Sequence, residues 1–140
     1  MIRRSALLLG LLAASAVAAV AAGQAAPQAR GWTLPPDAEE TKNPLTVDAA
    51  LLASGKALYT QKCQRCHGPG GLGDGPDADP DARQDMDLTS AKRADRNSDG
   101  VVFYKVWNGR SRPKMPAFKD EMTKEQVWAV VAYAQSLRGK

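Results

Sequence analysis

The feature that most constrains this chain is the run Cys63-Gln64-Arg65-Cys66-His67, which holds both cysteines and the one histidine among 140 residues. Residues three and four apart share a helix face. On a helix, Cys63, Cys66 and His67 would therefore present two thiols and an imidazole to the same ligand. A structural zinc site takes four Cys and His ligands, and this chain runs out after three. A thioredoxin-like redox site follows a buried strand, whereas Leu51 to Tyr59 reads as a helix leading into Cys63. The five-residue spacing is that of c-type haem attachment: the thiols add to the two haem vinyl groups, and the imidazole takes an axial position on iron. A redox disulfide and a metal site are the competing readings, and a disulfide between Cys63 and Cys66 can precede haem attachment in an oxidising compartment.

Such a compartment is what the N-terminus suggests. Residues 1–22 have the form of a secretory signal peptide, with Arg3 and Arg4 as the charged region, Leu7 to Val20 as the apolar region and Ala19-Val20-Ala21 as the cleavage site. The alternative is an uncleaved anchor, since the apolar run from Ser5 to Ala22 is near the lower limit of about 17 residues for a spanning helix. Residues 23–45 are rich in Ala, Pro and Gln and contain Pro27, Pro35, Pro36 and Pro44, which predicts a flexible arm. Its Trp32 is read as tucked against the domain surface, with a docking anchor as the alternative. The folded domain is expected over 46–140, a length that leaves room for one small core.

Within that domain the periodicity is helical. Thr46 is the expected N-cap, with Asp48 in the first turn, and the stripe Leu51, Leu52, Gly55, Leu58, Tyr59 runs into Cys63. Gly55 weakens a helix, a cost that is explained if a second helix crosses closely there. Thr123-Lys124-Glu125-Gln126 has the capping-box form, with Met122 stapling onto Val127. The stripe Val127, Val130, Val131, Ala134, Leu137 follows, with Gly139 as the stop. A further helix is expected from Asp99 to Asn108, capped by Ser98 and ended by Gly109. No strand-like alternation of useful length occurs, so the fold class is all-α.

With one histidine, the second axial ligand of an iron must be another residue or be absent. Methionine is the natural candidate, since a Met/His pair raises the reduction potential. Met1 would leave with the signal, Met122 serves as the staple, and Met86 lies between Asp85 and Asp87, a poor neighbourhood for an apolar haem face. Met115 sits in Arg112-Pro113-Lys114-Met115-Pro116, where Pro116 pushes it out of helical geometry. The alternative is Met115 as ordinary core filler.

Taken together, the haem signature, a Gly and a Tyr eight and four residues before Cys63, the Gly-rich loop, the Asn108-Gly109 turn, the Lys114-Met115-Pro116 loop and a last helix with Tyr133 resemble a class I c-type cytochrome over residues 46–138. The resemblance implies three to five helices around one covalently attached haem c, bound through Cys63, Cys66, His67 and Met115, with His67 and Met115 as the iron ligands. It also implies that the helices flanking the haem cross near Gly55, against Val130 and Tyr133. A proline carbonyl would accept the His67 hydrogen bond, with Pro76 the candidate and Pro69 behind it.

Charge is segregated along the chain. Residues 74–87 hold six aspartates against Arg83, while 88–119 hold eight bases against Asp95 and Asp99. The acidic stretch is read as a solvated loop, with a calcium site as the alternative. Asp95 to Gly100 imitates the start of an EF-hand loop, but Val106 stands where a bidentate Glu is required. The basic segment includes Met115 and is either a rim that steers the protein onto an acidic redox partner or a solvated face. No motif supports nucleic-acid binding, and membrane association is expected only if the N-terminal segment is retained.

These readings imply one-electron transfer between a redox-protein donor and acceptor in the periplasm, without enzyme activity. The alternatives are a haem subunit of a periplasmic oxidoreductase complex and an open-site ligand binder or peroxidase.

Overall fold

The computed structural model describes residues 31–139, so the proposed signal peptide and the first part of the arm lie outside the described residues. Helix α1 (Ala49–Lys62) begins after Asp48, whose Oδ1 accepts from the Leu51 N–H at 2.8 Å. The cap is thus Asp48 and not Thr46: the carboxylate both satisfies a free N–H and sits at the positive end of the helix dipole. Cys63 ends α1 and opens the single turn α2 (Gln64–His67). A 3-10 turn at Pro80–Ala82 leads into α3 (Arg83–Met86), and a second at Ala91–Arg96 leads to α4 (Asp99–Asn108). The last helix is α5 (Lys124–Ser136). Among the described residues there is no strand, only isolated bridges pairing Leu72 with Asp87 and Arg110 with Met115. The fold is all-α, as expected.

The later helices follow their expected signals in part: Ser98 precedes α4 without a side-chain capping bond, its Oγ donating instead to the Ala38 carbonyl, and α5 ends at Ser136, before Gly139. Thr123 and Gln126 form the reciprocal capping box of α5, and Met122 and Val127 are buried in one cluster. Helix α4 starts after Ser98 and stops at Gly109, whose φ of 61° suits glycine. Phe103 of α4 stacks on Trp128 of α5 with ring centroids 4.2 Å apart, and Val127 and Val131 complete the centre of the core.

Helices α1 and α5 cross at Gly55, where a Cβ would lie 2.0 Å from the Ala129 carbonyl oxygen and 3.0 Å from the Tyr133 Cβ. The crossing partner is therefore Ala129 together with Tyr133. Val130, the expected contact, instead belongs to the central core. One turn after Gly55, the Tyr59 ring packs 5.2 Å from that of Tyr133.

The described part of the predicted arm, 31–45, departs from a flexible segment. Ala38 is buried, the Gly100 N–H donates to the Thr41 carbonyl at 3.0 Å, Asn43 Nδ2 donates to the Trp128 carbonyl at 3.0 Å, and Leu45 packs on the core. Prolines here do not signal freedom; they stiffen a strap that turns at 36–40 and whose polar groups find partners on α4 and α5.

Gly55→Ala separates helix propensity from packing. Propensity alone would add about 1 kcal/mol, but overpacking against a backbone oxygen costs about 1–3 kcal/mol or more. We expect a net loss near 2 kcal/mol, seen as a fall of roughly 10 °C in thermal unfolding, with Gly55→Val worse. An unchanged or raised midpoint would contradict the contact.

Candidate functional site

The motif residues occupy one turn closed by backbone bonds. The Cys63 N–H donates to the Tyr59 carbonyl at 2.8 Å, and the Cys66 and His67 N–H groups both donate to the Cys63 carbonyl at 3.2 and 3.0 Å. This geometry brings Cys63, Cys66 and His67 together as the spacing predicts. Both thiols are free and half-buried. Cys63 packs against the core, and its pKa is pushed up to about 12 by burial, with Cys66 adding to the effect. Cys66 Sγ donates to the Asp77 carbonyl at 3.7 Å.

His67 is held from outside its own helix. Its Nδ1 lies 2.7 Å from the carbonyl of Met86. The acceptor is thus Met86 and not Pro76. In the tautomer that donates Nδ1–H to this carbonyl, Nε2 keeps its lone pair free for a metal, and the bond fixes the ring. Burial holds the imidazole pKa below its ordinary value, with the Met86 bond opposing in part. Two ties bring the Met86 segment to this place: the Gly73 N–H donates to the His67 carbonyl at 2.8 Å, and the Leu88 N–H donates to the Gly71 carbonyl at 2.7 Å. Tyr59 adds a third tie, its buried hydroxyl donating to the Gly68 carbonyl at 2.7 Å.

Met115 sits in a hairpin in which Arg110 and Met115 exchange both backbone hydrogen bonds at 2.9 Å. Gly109 precedes it because a Cβ there would come within 2.5 Å of the Met115 carbonyl oxygen. The Met115 side chain is half-buried and packs on the same apolar cluster as Cys63. Of the eight bases between 88 and 119, Lys92, Arg96, Arg112, Lys114 and Lys119 are exposed. Arg93 pairs with Asp85 at 3.1 Å, and Lys105 is half-buried, its pKa pushed down to about 8 by burial and then by Arg110 and Arg93.

The acidic loop is organised by separate partners. Asp77 pairs with Arg65, the Asp79 carboxylate accepts from the Asp81 N–H, and Asp87 accepts from the Thr89 N–H and hydroxyl. Among the described residues, no three His, Cys, Asp or Glu side chains converge on a metal position. Asn97 and Asp99 of the EF-hand-like run serve as acceptors for Lys105 and Gln135.

Sequence reasoning missed the Met86 carbonyl and the Tyr59 hydroxyl. A backbone carbonyl carries no residue signature; the glycines of Gly68-Pro69-Gly70-Gly71-Leu72-Gly73 mark a tight loop but not what it brings to His67.

Residues 50–133 match the model of the family described as cytochrome C oxidase, cbb3-type, subunit III. The chain belongs to this family of c-type cytochromes. It is 31% identical over 103 residues to the quinohemoprotein alcohol dehydrogenase ADH IIB of Pseudomonas putida, an alignment spanning 73% of this cytochrome and 13% of that protein. Among solved structures it is similar to the reducing HAO-like protein complex of Kuenenia stuttgartiensis, with a TM-score of 0.56, 27% identity and coverage of 68% of this chain and 47% of that one. A second, the c-type cytochrome KustC0563, is 28% identical at a TM-score of 0.48, over 60% of this chain and 96% of the other. As a class I c-type cytochrome, the protein carries covalently attached haem c and transfers electrons. Two thiols and an imidazole on one turn, with no Nε2 hydrogen bond among the described residues, form a donor set that suits this group. No described helix is long and apolar enough to cross a membrane.

Tyr59→Phe would leave the buried Gly68 carbonyl without its partner, at an expected cost of about 1–3 kcal/mol in thermal or denaturant unfolding. Burial, then Cys63, Tyr133 and Asp74, raise the Tyr59 pKa above its ordinary 10.0. The folded state therefore keeps a proton that the unfolded chain gives up, and stability should fall as pH climbs past about 10. The Phe variant should show a shallower fall. A variant as stable as the wild type would show that the hydroxyl contributes nothing.

Proposed function

We propose that this cytochrome carries one electron at a time between redox proteins in the periplasm, with one haem fixed by Cys63 and Cys66 and with His67 and Met115 as its axial residues. The group supplies an Fe(III)/Fe(II) couple. The observation that carries the reading is the helical turn of Cys63, Cys66 and His67, in which Nδ1 is committed to the Met86 carbonyl and Nε2 is left for iron.

In this reading the chain performs no bond chemistry and is not an enzyme. Cys63 and Cys66 would anchor the group, the Met86 carbonyl orients His67, and Met115 on the proline-flanked hairpin would supply the second ligand. With both ligands in place the iron would have no open position, which favours electron transfer over ligand binding. Exposed Arg112, Lys114 and Lys119 flank Met115 and would present a basic surface to an acidic partner, raising the encounter rate more than the affinity. The secretory pattern of residues 1–22 supports export.

A second reading has its own support. The family description names an oxidase subunit, the dehydrogenase relative is far longer than this chain, and the similar solved structure is a complex. The cytochrome would then be the haem subunit of a periplasmic oxidoreductase. Size-exclusion chromatography of the native protein separates the two: elution with a larger catalytic protein at fixed stoichiometry favours the subunit, and elution alone favours the carrier.

The axial assignment is tested optically. The oxidised wild type should show the weak red-edge band of iron–methionine ligation and a reversible one-electron couple. Met115→Ala should lose the band entirely, shift to a lower potential and bind carbon monoxide rapidly when reduced. A wild type without the band would remove Met115 from the site and bring ligand binding or peroxidase chemistry forward.

A further inference from the structure

Arg110 is the point where three stretches of chain meet at the Met115 hairpin. Its backbone pairs with that of Met115, and its Nε donates to the Pro113 carbonyl at 3.0 Å within the same hairpin. A terminal nitrogen lies 3.7 Å from Asp85, and the guanidinium sits 4.4 Å over the ring of Trp32. Only 11% of the Arg110 side chain is exposed, so the ring and the guanidinium meet in a partly desolvated setting where a cation–π contact is strongest.

Trp32 reaches this position on a strap that borders the hairpin at Gly31, beside the Arg112 carbonyl, but is tied mainly elsewhere. The strap that carries it is tied to α4, because Asn108 Nδ2 donates to the Thr33 carbonyl at 2.9 Å and Ser98 Oγ donates to the Ala38 carbonyl at 3.4 Å. Residues 111–114, by contrast, are mostly exposed and closed by the Arg110–Met115 pair. Exposed segments with few ties open locally at low cost. Whatever immobilises Arg110 therefore governs how often that pair breaks.

We propose that Trp32 is a positioning residue for Met115: by holding Arg110, it keeps the hairpin closed and the methionine sulfur in place for the iron. This rests on Met115 being the axial ligand, and the strap's part in it is distinct from general stability.

The test compares Trp32→Ala and Trp32→Phe in the full-length, haem-loaded protein. Amide hydrogen exchange reads the hairpin without reference to the iron, and competition by added imidazole for the sixth position reads the ligand. In Trp32→Ala the Arg110 and Met115 amides should exchange about tenfold faster, the fold-change released by losing one partly desolvated cation–π contact, while Tyr59 and Val131 amides stay unchanged. Imidazole should bind about tenfold more tightly, and Trp32→Phe, which keeps an aromatic face, should recover most of both effects. Unchanged exchange at Arg110 and Met115, or acceleration spread equally to Tyr59 and Val131, overturns the positioning role. Faster exchange at the hairpin with no change in imidazole binding, in a wild type that lacks the red-edge band, overturns instead the reading of Met115 as ligand.

Discussion

Where Gly55 lies against the carbonyl of Ala129, no side chain separates α1 from α5. That approach brings Tyr59 onto Tyr133, lets the Tyr59 hydroxyl reach the Gly68 carbonyl and so sets the angle at which α2 leaves Cys63. The three reactive side chains inherit their directions from a contact two turns upstream. A short helix of four residues has little stability of its own. It holds its shape because backbone bonds from Gly73, Gly75 and Asp77 return to the carbonyls of His67, Cys66 and Arg65.

Signals in the chain are legible where their partners are also local. The capping box of Thr123 and Gln126, the stop at Gly109 and the turn that gathers Cys63, Cys66 and His67 depend on residues within four positions of one another. Reading failed where the partner lies elsewhere. Both Thr46 and Asp48 could cap α1, and the cap is Asp48, whose carboxylate accepts from the Leu51 N–H. The acceptor for His67 is a main-chain oxygen nineteen residues away, which no residue type announces. The proline-rich composition of 31–45 suggested freedom, yet the polar groups of Thr41 and Asn43 find partners on α4 and α5.

Charge shows a similar division between pattern and placement. The change from acidic to basic at residue 88 is plain in the sequence. Folding then joins the two blocks, since Asp85 meets both Arg93 and Arg110. The basic segment thus divides into a half-buried part, Arg93, Lys105 and Arg110 around the one carboxylate of Asp85, and an exposed part, and the second is the one open to another molecule.

The burial of Cys63 bears on the order of events in making this protein. Sulfur reacts as thiolate, and burial, which raises the Cys63 pKa, favours the protonated, less reactive form of this half-buried thiol in the folded chain. Bond formation at that sulfur is therefore favoured while the chain is still open, before the core packs against it. A chain that packs its core early would leave its own attachment point less reactive.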